Sequence, residues 1–134
     1  MKSLTKKWLD FARADLEGAK VLLKSGETHW SYQLCVLHCH QAIEKILKTV
    51  IVDNGDEVKK VHNLIFLLNE SKLKIPEEFK QHIEELNPHY QLPRYPDIRY
   101  KGPILRYNEK VAREYFDETK QVFLWIEKKL IQRK

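Results

Sequence analysis

Cysteine and histidine side chains are concentrated in one short stretch of this sequence. Cys35, His38, Cys39 and His40 stand close together, and these residue types are the usual ligands of zinc. On a helix, three ligands from so short a stretch could not surround the ion, and a fourth would have to come from elsewhere. Buried free cysteines are also common as small apolar side chains. We therefore expect no metal site and no cofactor.

A second polar group follows directly on the same stretch. Glu44 and Lys48 are one helical turn apart, in the order that favours an ion pair worth about 0.2–0.5 kcal/mol on an exposed helix. The first interpretation is therefore a solvated ion pair. The alternative is that Gln41, Lys45 and Lys48 line a groove that faces a phosphate group or a partner protein. The spacing leaves both interpretations open.

A single histidine, His62, lies at the expected start of a later helix. There a neutral imidazole would cap the backbone or hold the preceding loop. As a general base it would need a nearby nucleophile and an orienting group, and the sequence shows neither convincingly. We therefore assign no catalytic residue and keep His62 as a candidate for ligand or partner binding.

Tyrosines and basic residues alternate in the segment 88–107, which also holds four of the five prolines. Connections of this length are uncommon in compact domains and are usually functional or disordered. Interleaved aromatic and basic side chains can stack on bases while neutralising phosphates. Alternatively, the tyrosines fasten a stiff loop over the protein and the arginines are exposed incidentally. The candidate binding residues here are Arg94, Tyr95, Asp97 and Arg99.

One carboxylate, Asp15, lies between Ala12 and Ala19 on an apolar stripe, so part of it should be buried. A buried carboxylate needs a cationic or hydrogen-bonding partner, or it becomes neutral. We expect Lys45 or a histidine of the following helix to be that partner. Such pairs are more often structural than catalytic, and we predict a structural role for Asp15.

Helical periodicity predicts the elements that carry these residues. The first stripe consists of Trp8, Ala12, Leu16, Ala19, Leu22 and Leu23. Spacing by three and four residues is typical of one face of a helix. The first predicted helix ends at Ser25-Gly26, the second runs from about Ser31 to Asp53, and the third runs from about Asn63 to Ser71. The fourth starts at Pro76, and the fifth starts after a cap at Asn108. Since no strand pattern or repeat is visible, we expect an all-α, up-and-down bundle of about five helices. Four would form the core, with one short extra helix, in a single domain over residues 1–134.

The composition agrees with a globular helical protein of 134 residues, with 43% hydrophobic and 32% charged residues. The net charge of +5 is compatible with a polyanionic partner. No apolar run approaches the roughly 20 residues of a membrane span, and the N-terminus does not resemble a signal peptide. Two cysteines four residues apart are seldom a disulfide on a helix, so we expect a cytoplasmic protein.

Four motifs, in order along the chain, resemble those of the HEPN family (higher eukaryotes and prokaryotes nucleotide-binding). In the second helix, a Gln-Ala pair is followed by Glu-Lys and by a further Lys one turn on, which closely resembles the family signature. The matching segments are Trp8 to Ala19, His38 to Lys48, Val61 to Leu64, and Arg94-Tyr95-Pro96-Asp97. Together they cover most of the chain.

The resemblance implies a helical bundle, frequent homodimers, binding of nucleotides or RNA, and partnership with a minimal nucleotidyltransferase in toxin–antitoxin systems. Nuclease members of the family carry an Arg followed by four to six residues and then a His, and no arginine of this chain has a His at that distance. We therefore predict a non-catalytic binding module. The alternatives are a metal-independent RNase that uses His62 with Arg94 or Arg99, and a purely structural interaction subunit.

Overall fold

The computed structural model describes residues 1–92, 94–96 and 107–133, and within these ranges the chain is helical with no strand. The elements are α1 (Ser3–Ser25), α2 (His29–Asp53), α3 (Leu64–Ser71), α4 (Glu77–Leu86), a 3-10 helix (Asn87–Tyr90) and α5 (Glu109–Gln132). The all-α bundle of five α-helices predicted from the periodicity is therefore confirmed.

Helix α2 is the central element of the bundle. It packs against α1 along most of its length, and it also contacts α3, α4, α5 and the 3-10 helix. Buried side chains therefore lie on several sides of α2, from Cys35 to Val52, as expected of the innermost helix of a bundle. Any polar group on this helix must find a partner inside the protein.

Side-chain caps define where three of the helices begin. Asn108 Oδ1 accepts a hydrogen bond from the Val111 amide at 2.9 Å, which confirms the predicted cap of α5. Asn63 is the cap of α3, so this helix begins at Leu64. Helix α2 begins at His29, before the predicted Ser31, because the Thr28 hydroxyl caps it.

The buried face of α1 differs from the predicted stripe. Its buried residues are Thr5, Leu9, Ala12, Asp15, Ala19 and Leu23. Trp8, Leu16 and Leu22 are only partly buried. The stripe that faces α2 is a narrow one, with steps of three and four residues, and the three larger side chains lie at its edges.

Trp30 and Phe123 differ in their burial. Phe123 is a core residue with 1% exposure, whereas Trp30 is 62% exposed. Both cysteines of α2 are free and buried, and burial raises the pKa of the Cys39 thiol. Of the helices described here, none is long and apolar enough to cross a membrane.

Candidate functional site

A buried ion pair lies in the middle of α2. Glu44 and Lys48 are 5% and 6% exposed, and Lys48 Nζ donates a hydrogen bond to Glu44 Oε2 at 3.0 Å. The interpretation of this pair as a solvated surface contact is therefore wrong. The physical reason is that α3 and the 3-10 helix both pack on α2, and the residue before the α3 cap, His62, reaches the same carboxylate.

His62 is the second partner of the Glu44 carboxylate. Its Nδ1 lies 3.0 Å from Oε1 and 3.2 Å from Oε2, while half of the imidazole side chain remains exposed. The backbone cap of α3 is supplied by Asn63, so of the two structural roles expected for His62 the structure shows the hold on the preceding loop and not the cap. Because Nδ1 donates to the carboxylate, the tautomer is fixed and Nε2 is the nitrogen left for a ligand.

The ring of His62 stacks on Tyr90 of the 3-10 helix. The two ring centroids are 4.0 Å apart, with an angle of 15° between the planes. The Arg94 guanidinium lies 4.7 Å from the Tyr90 ring centroid and 5.8 Å from that of Tyr95, distances at which a cation is attracted to an aromatic ring. An imidazole, a phenol ring and a guanidinium are thus held next to one another at the surface.

Beneath this stack lies His40, which is fully buried. Its Nδ1 is 3.7 Å from Glu44 Oε1, and its ring centroid is 5.3 Å from that of Tyr90. Burial lowers the pKa of His40 to about 3, helped by the nearby His62. His40 is therefore neutral at neutral pH, and among the described residues Lys48 supplies the positive charge beside Glu44. Within the described ranges, neither ring nitrogen of His40 has a partner of good hydrogen-bonding geometry. The nearby Asn87 backbone raises the pKa of His40, but less than burial lowers it.

An open cavity of about 400 Å³ lies beside His62, and we call it the His62 groove. Its lining consists of Val61, His62, Asn63, Asn87, Pro88, Tyr90 and Gln91. The two asparagines also fix the start of α3. Asn87 Oδ1 accepts from the Leu64 amide at 2.7 Å, and Asn63 Oδ1 accepts from the Phe66 amide at 3.0 Å. The groove is thus built from the loop before α3 and from the 3-10 helix.

The sequence profile of the HEPN domain family matches residues 5–129 of this chain. The chain belongs to the HEPN domain family. A protein of Methanocaldococcus jannaschii named "Putative toxin MJ1304" is 31% identical over 122 residues, which are 83% of this chain and 78% of that protein.

Two solved structures match nearly the whole of this HEPN chain. TT1696 from Thermus thermophilus superposes with a TM-score of 0.80 at 27% identity, over 96% of this chain and 99% of that one. ST0689, described as an archaeal HEPN homologue, superposes with a TM-score of 0.72 at 28% identity, over 96% and 98% of the two chains. The fold of this chain is therefore that of a HEPN domain.

A second carboxylate of this HEPN domain lies between α1 and α2. Asp15 Oδ2 is 2.6 Å from Lys45 Nζ, and Asp15 Oδ1 is 3.2 Å from His38 Nδ1. Burial raises the pKa of Asp15, but the His38 hydrogen bond and the Lys45 ammonium outweigh it and hold the pKa below 3.8. Asp15 therefore has both of the partner types that its position on the stripe required. The contact with Lys45 is a close ion pair.

The predicted lysine surface of α2 is divided between these two carboxylates. Lys45 pairs with Asp15, and Lys48 pairs with Glu44 and is buried. The two lysines therefore do not line one common groove. Gln41 is partly buried on the same helix, and the structure brings it into neither pair.

The predicted tyrosine and arginine site is only partly within the described residues. Arg94 and Tyr95 are exposed and lie beside Tyr90. Asp97 and Arg99, which we also predicted as binding residues, lie outside the described residues. Over the ranges that are described, no group of three His, Cys, Asp or Glu side chains is arranged to hold a metal ion.

A buried histidine, His89, fastens the far end of the same segment. Its Nδ1 is 2.6 Å from the Tyr107 hydroxyl, and its Nε2 is 3.0 Å from the Tyr115 hydroxyl. Burial lowers the pKa of His89 to about 4, with a smaller effect from His82. Tyr107 therefore holds one end of the segment 88–107 against the bundle. This agrees with the structural interpretation of the tyrosines in that segment.

His82 holds α4 to α5 in a comparable way. Its Nε2 lies 2.8 Å from the Thr119 hydroxyl, and its Nδ1 lies 3.0 Å from Glu118 Oε2. Burial lowers the pKa of His82 to about 4. His82 thus ties α4 to α5, and His89 ties α5 to the 3-10 helix, which forms part of the His62 groove.

Sequence reasoning missed three contributors to the groove: Tyr90, Asn63 and Asn87. Tyr90 was visible only as one of several tyrosines, and no spacing rule connects it with His62. The orienting carboxylate that His62 needed was also present in the sequence, as Glu44. Its role follows only from the fold, because the pair of Glu44 and Lys48 on its own has the pattern of an ordinary surface ion pair.

Proposed function

We propose that this HEPN domain is a binding module of the toxin–antitoxin type, and that it holds a nucleotide or single-stranded RNA in the His62 groove. The observation that carries the proposal is the half-exposed imidazole of His62, fixed by the buried Glu44 carboxylate at 3.0 Å and stacked on Tyr90 at 4.0 Å. The relative named as a toxin in Methanocaldococcus jannaschii supports the toxin–antitoxin setting.

The chemistry of the groove suits an unpaired nucleotide. Single-stranded RNA is recognised by stacking of bases on aromatic or histidine rings and on guanidinium planes. His62, Tyr90 and Arg94 supply these three groups, with neighbouring members of the stack at most 4.7 Å apart. The formal charge of +5 also favours a polyanion.

A binding assay with two matched histidine variants tests this proposal. Labelled single-stranded RNA and transfer RNA are titrated with the protein in EDTA, by fluorescence anisotropy and on native gels. We expect salt-sensitive binding that His62→Ala weakens by roughly tenfold or more and that His29→Ala leaves unchanged, because His29 is an exposed residue at the other end of α2. Absence of binding at low salt, or equal loss in both variants, would exclude the groove as the binding site.

A metal-independent RNase is the second candidate, and one observation favours it. The pair of Glu44 and His62 has the geometry of a carboxylate that orients a general base through its Nδ1. His62 Nε2 would take the proton of a ribose 2′-hydroxyl, whose oxygen attacks the neighbouring phosphorus, and Arg94 would neutralise the developing charge. The P–O5′ bond breaks, the leaving 5′-oxygen takes a proton from water, and His62 returns its proton to the solvent. The products are a 2′,3′-cyclic phosphate and a free 5′-hydroxyl.

The same samples separate this candidate from simple binding. Cleavage in the presence of EDTA, with cyclic-phosphate ends and loss of activity in His62→Ala, would make the protein an RNase. Intact RNA with a shift on the gel supports the binding module. The absence of the Arg and His spacing of nuclease members is the reason for preferring the binding module.

We also infer protein partners: a second copy of this chain and a minimal nucleotidyltransferase. The proposal is supported by the toxin-like relative and by exposed apolar side chains on the helices. These are Leu4, Phe11, Val21, Trp30, Leu34, Leu124 and Ile131. Light scattering of the purified protein, alone and with a co-expressed nucleotidyltransferase, measures both associations. A monomer under both conditions would contradict both partner proposals. It would also contradict the alternative of a purely structural interaction subunit.

A further inference from the structure

Asn63 and Asn87 both line the His62 groove, and the oxygen of each side-chain amide accepts one hydrogen bond from the backbone of α3. Asn63 Oδ1 accepts from the Phe66 amide and Asn87 Oδ1 accepts from the Leu64 amide. A backbone N–H can only donate, so these contacts identify which end of each side-chain amide is oxygen. The nitrogen end of each amide therefore lies away from its backbone donor and can donate to a ligand.

Both residues line the groove, and their Nδ2 groups make no hydrogen bond to the parts of the chain that the structure describes. Each NH₂ group carries two donors and no acceptor. Because the oxygens are held by two amides of the same helical turn, the amide planes cannot flip without uncapping α3. The groove thus presents donors of fixed orientation next to the imidazole of His62.

We propose that the His62 groove selects bases with a keto oxygen at C4 of a pyrimidine or C6 of a purine, uracil and guanine, over cytosine and adenine, which carry an amino group at that position. This inference rests on the proposed function, since it names the ligand class of the same groove. Uracil O4 and guanine O6 accept hydrogen bonds, whereas cytosine N4 and adenine N6 donate them. A donor that meets a donor leaves both groups unpaired on binding, which is the strongest source of discrimination between similar ligands.

The position of His62 makes this selection geometrically reasonable. Asn63 follows His62 directly in the chain, and one face of the imidazole is covered by Tyr90 while half of the side chain stays exposed. A base that stacks on the exposed imidazole therefore lies beside the Asn63 amide, with its edge toward the groove. Stacking alone tolerates every base, so the choice among bases falls to the amides.

Replacement of asparagine by aspartate tests this choice with little effect on the fold. Asn63→Asp keeps an oxygen for the Phe66 amide, and aspartate is as good a helix cap as asparagine, but the NH₂ donors are replaced by a second acceptor. Asn63→Ser also keeps a cap and removes the donors without adding charge. Thermal unfolding of both variants establishes that the helix start is intact.

The measurement is the affinity for the labelled hexanucleotides U6, C6, UGUGUG and CACACA by fluorescence anisotropy in EDTA. For the unaltered protein we expect U6 to bind about tenfold more tightly than C6. In Asn63→Ser the ratio should fall toward one, and in Asn63→Asp it should fall further or reverse, because a carboxylate accepts from the cytosine amino group. The ratio of the affinities for U6 and C6 is the diagnostic quantity, because added negative charge weakens the binding of all four RNAs alike. UGUGUG against U6 shows which keto base is preferred.

Equal affinity of the unaltered protein for U6 and C6 would overturn the inference while leaving the proposed function intact. The same holds for a preference that survives in both Asn63 variants. If none of the four RNAs binds, the proposed function itself is wrong and the inference with it. A preference for U6 that disappears in Asn63→Ser supports both.

Discussion

His62 Nδ1 lies 3.0 Å from Glu44 Oε1, so an exposed imidazole is anchored to a buried carboxylate of the central helix. This contact joins the loop before α3 to the core of the bundle, and it places the imidazole against Tyr90. The same carboxylate neutralises the buried Lys48 ammonium at 3.0 Å. One side chain of α2 therefore stabilises the fold and shapes the groove at the same time.

Replacement of the Glu44 carboxylate by an amide should destabilise the protein strongly. In Glu44→Gln the buried Lys48 ammonium loses its countercharge, and breaking a buried ion pair in this way costs about 3–5 kcal/mol. The free energy of unfolding is measured by urea denaturation. The control is Glu70→Gln, which removes an exposed ion pair with Lys59 and should cost at most about 1 kcal/mol. Similar small losses in both variants would mean that Glu44 and Lys48 are not a buried pair.

The Asp15 carboxylate should stabilise the protein above its own titration range and not below it. Its pKa is lower in the folded protein than the ordinary 3.8, because the contacts with His38 and Lys45 outweigh the effect of burial. The unfolded chain therefore takes up this proton first as the pH falls, and the stabilisation is lost below pH 3.8.

The difference in unfolding free energy between the unaltered protein and Asp15→Asn should thus be largest at neutral pH and shrink below pH 3.8. Asp10→Asn serves as the control, since Asp10 lies on the same helix with an exposed side chain that pairs with Arg13. A difference for Asp15→Asn that is the same at pH 7 as in acid well below its pKa would contradict the assignment.

Three buried histidines should make the protein less stable in mild acid. The pKa of His40 is lowered to about 3, and those of His82 and His89 to about 4, from an ordinary value of 6.5. Between pH 6.5 and 4 the unfolded chain binds protons that the folded protein excludes, so the unfolding free energy falls as the pH falls. For His89 alone the full effect is at most about 3 kcal/mol.

Urea denaturation between about pH 7.5 and 4.5 measures this dependence. In His89→Gln the unfolding free energy should depend less steeply on pH, and the number of protons taken up on unfolding should fall by up to about one. His29→Gln should leave the slope unchanged because His29 is exposed. A stability that does not change across this range would show that these histidines are protonated in the folded protein.

The helices were predictable from the sequence because each depends on a local pattern. Periodic apolar positions define all five, and the sequence predicts the Asn108 cap that the structure shows. The partner of Asp15 was also predictable, because a carboxylate on an apolar stripe must find a cation on the helix that packs against it.

The His62 groove was not predictable in the same way. The burial of Glu44 and Lys48 depends on elements that come later in the chain, and a surface pair and a buried pair have the same spacing on a helix. The stack of His62 on Tyr90 joins the residue before the α3 cap to the 3-10 helix, which are far apart in the sequence. Long-range contacts of this kind have no local sequence pattern.

Removal of the Arg94 guanidinium should weaken RNA binding mainly through its charge. Arg94 lies over Tyr90 at 4.7 Å, next to the groove, and one lost phosphate contact lowers the slope of log affinity against log salt by about 0.7–1. We expect this change for Arg94→Ala in anisotropy titrations at several salt concentrations. Arg113→Ala is the control, because Arg113 is an exposed arginine of α5 paired with Glu109. Equal changes of slope in the two variants would place the phosphate contacts elsewhere.

The most direct test of the central claim is a titration of the ¹⁵N-labelled protein with U6, followed by the shifts of backbone and side-chain amide signals. The account predicts that the largest changes occur at His62, Tyr90 and the side-chain NH₂ groups of Asn63 and Asn87, which line the groove. Changes confined to other surfaces, such as the exposed Trp30 and Leu34 on α2, with these four residues unaffected, would contradict it.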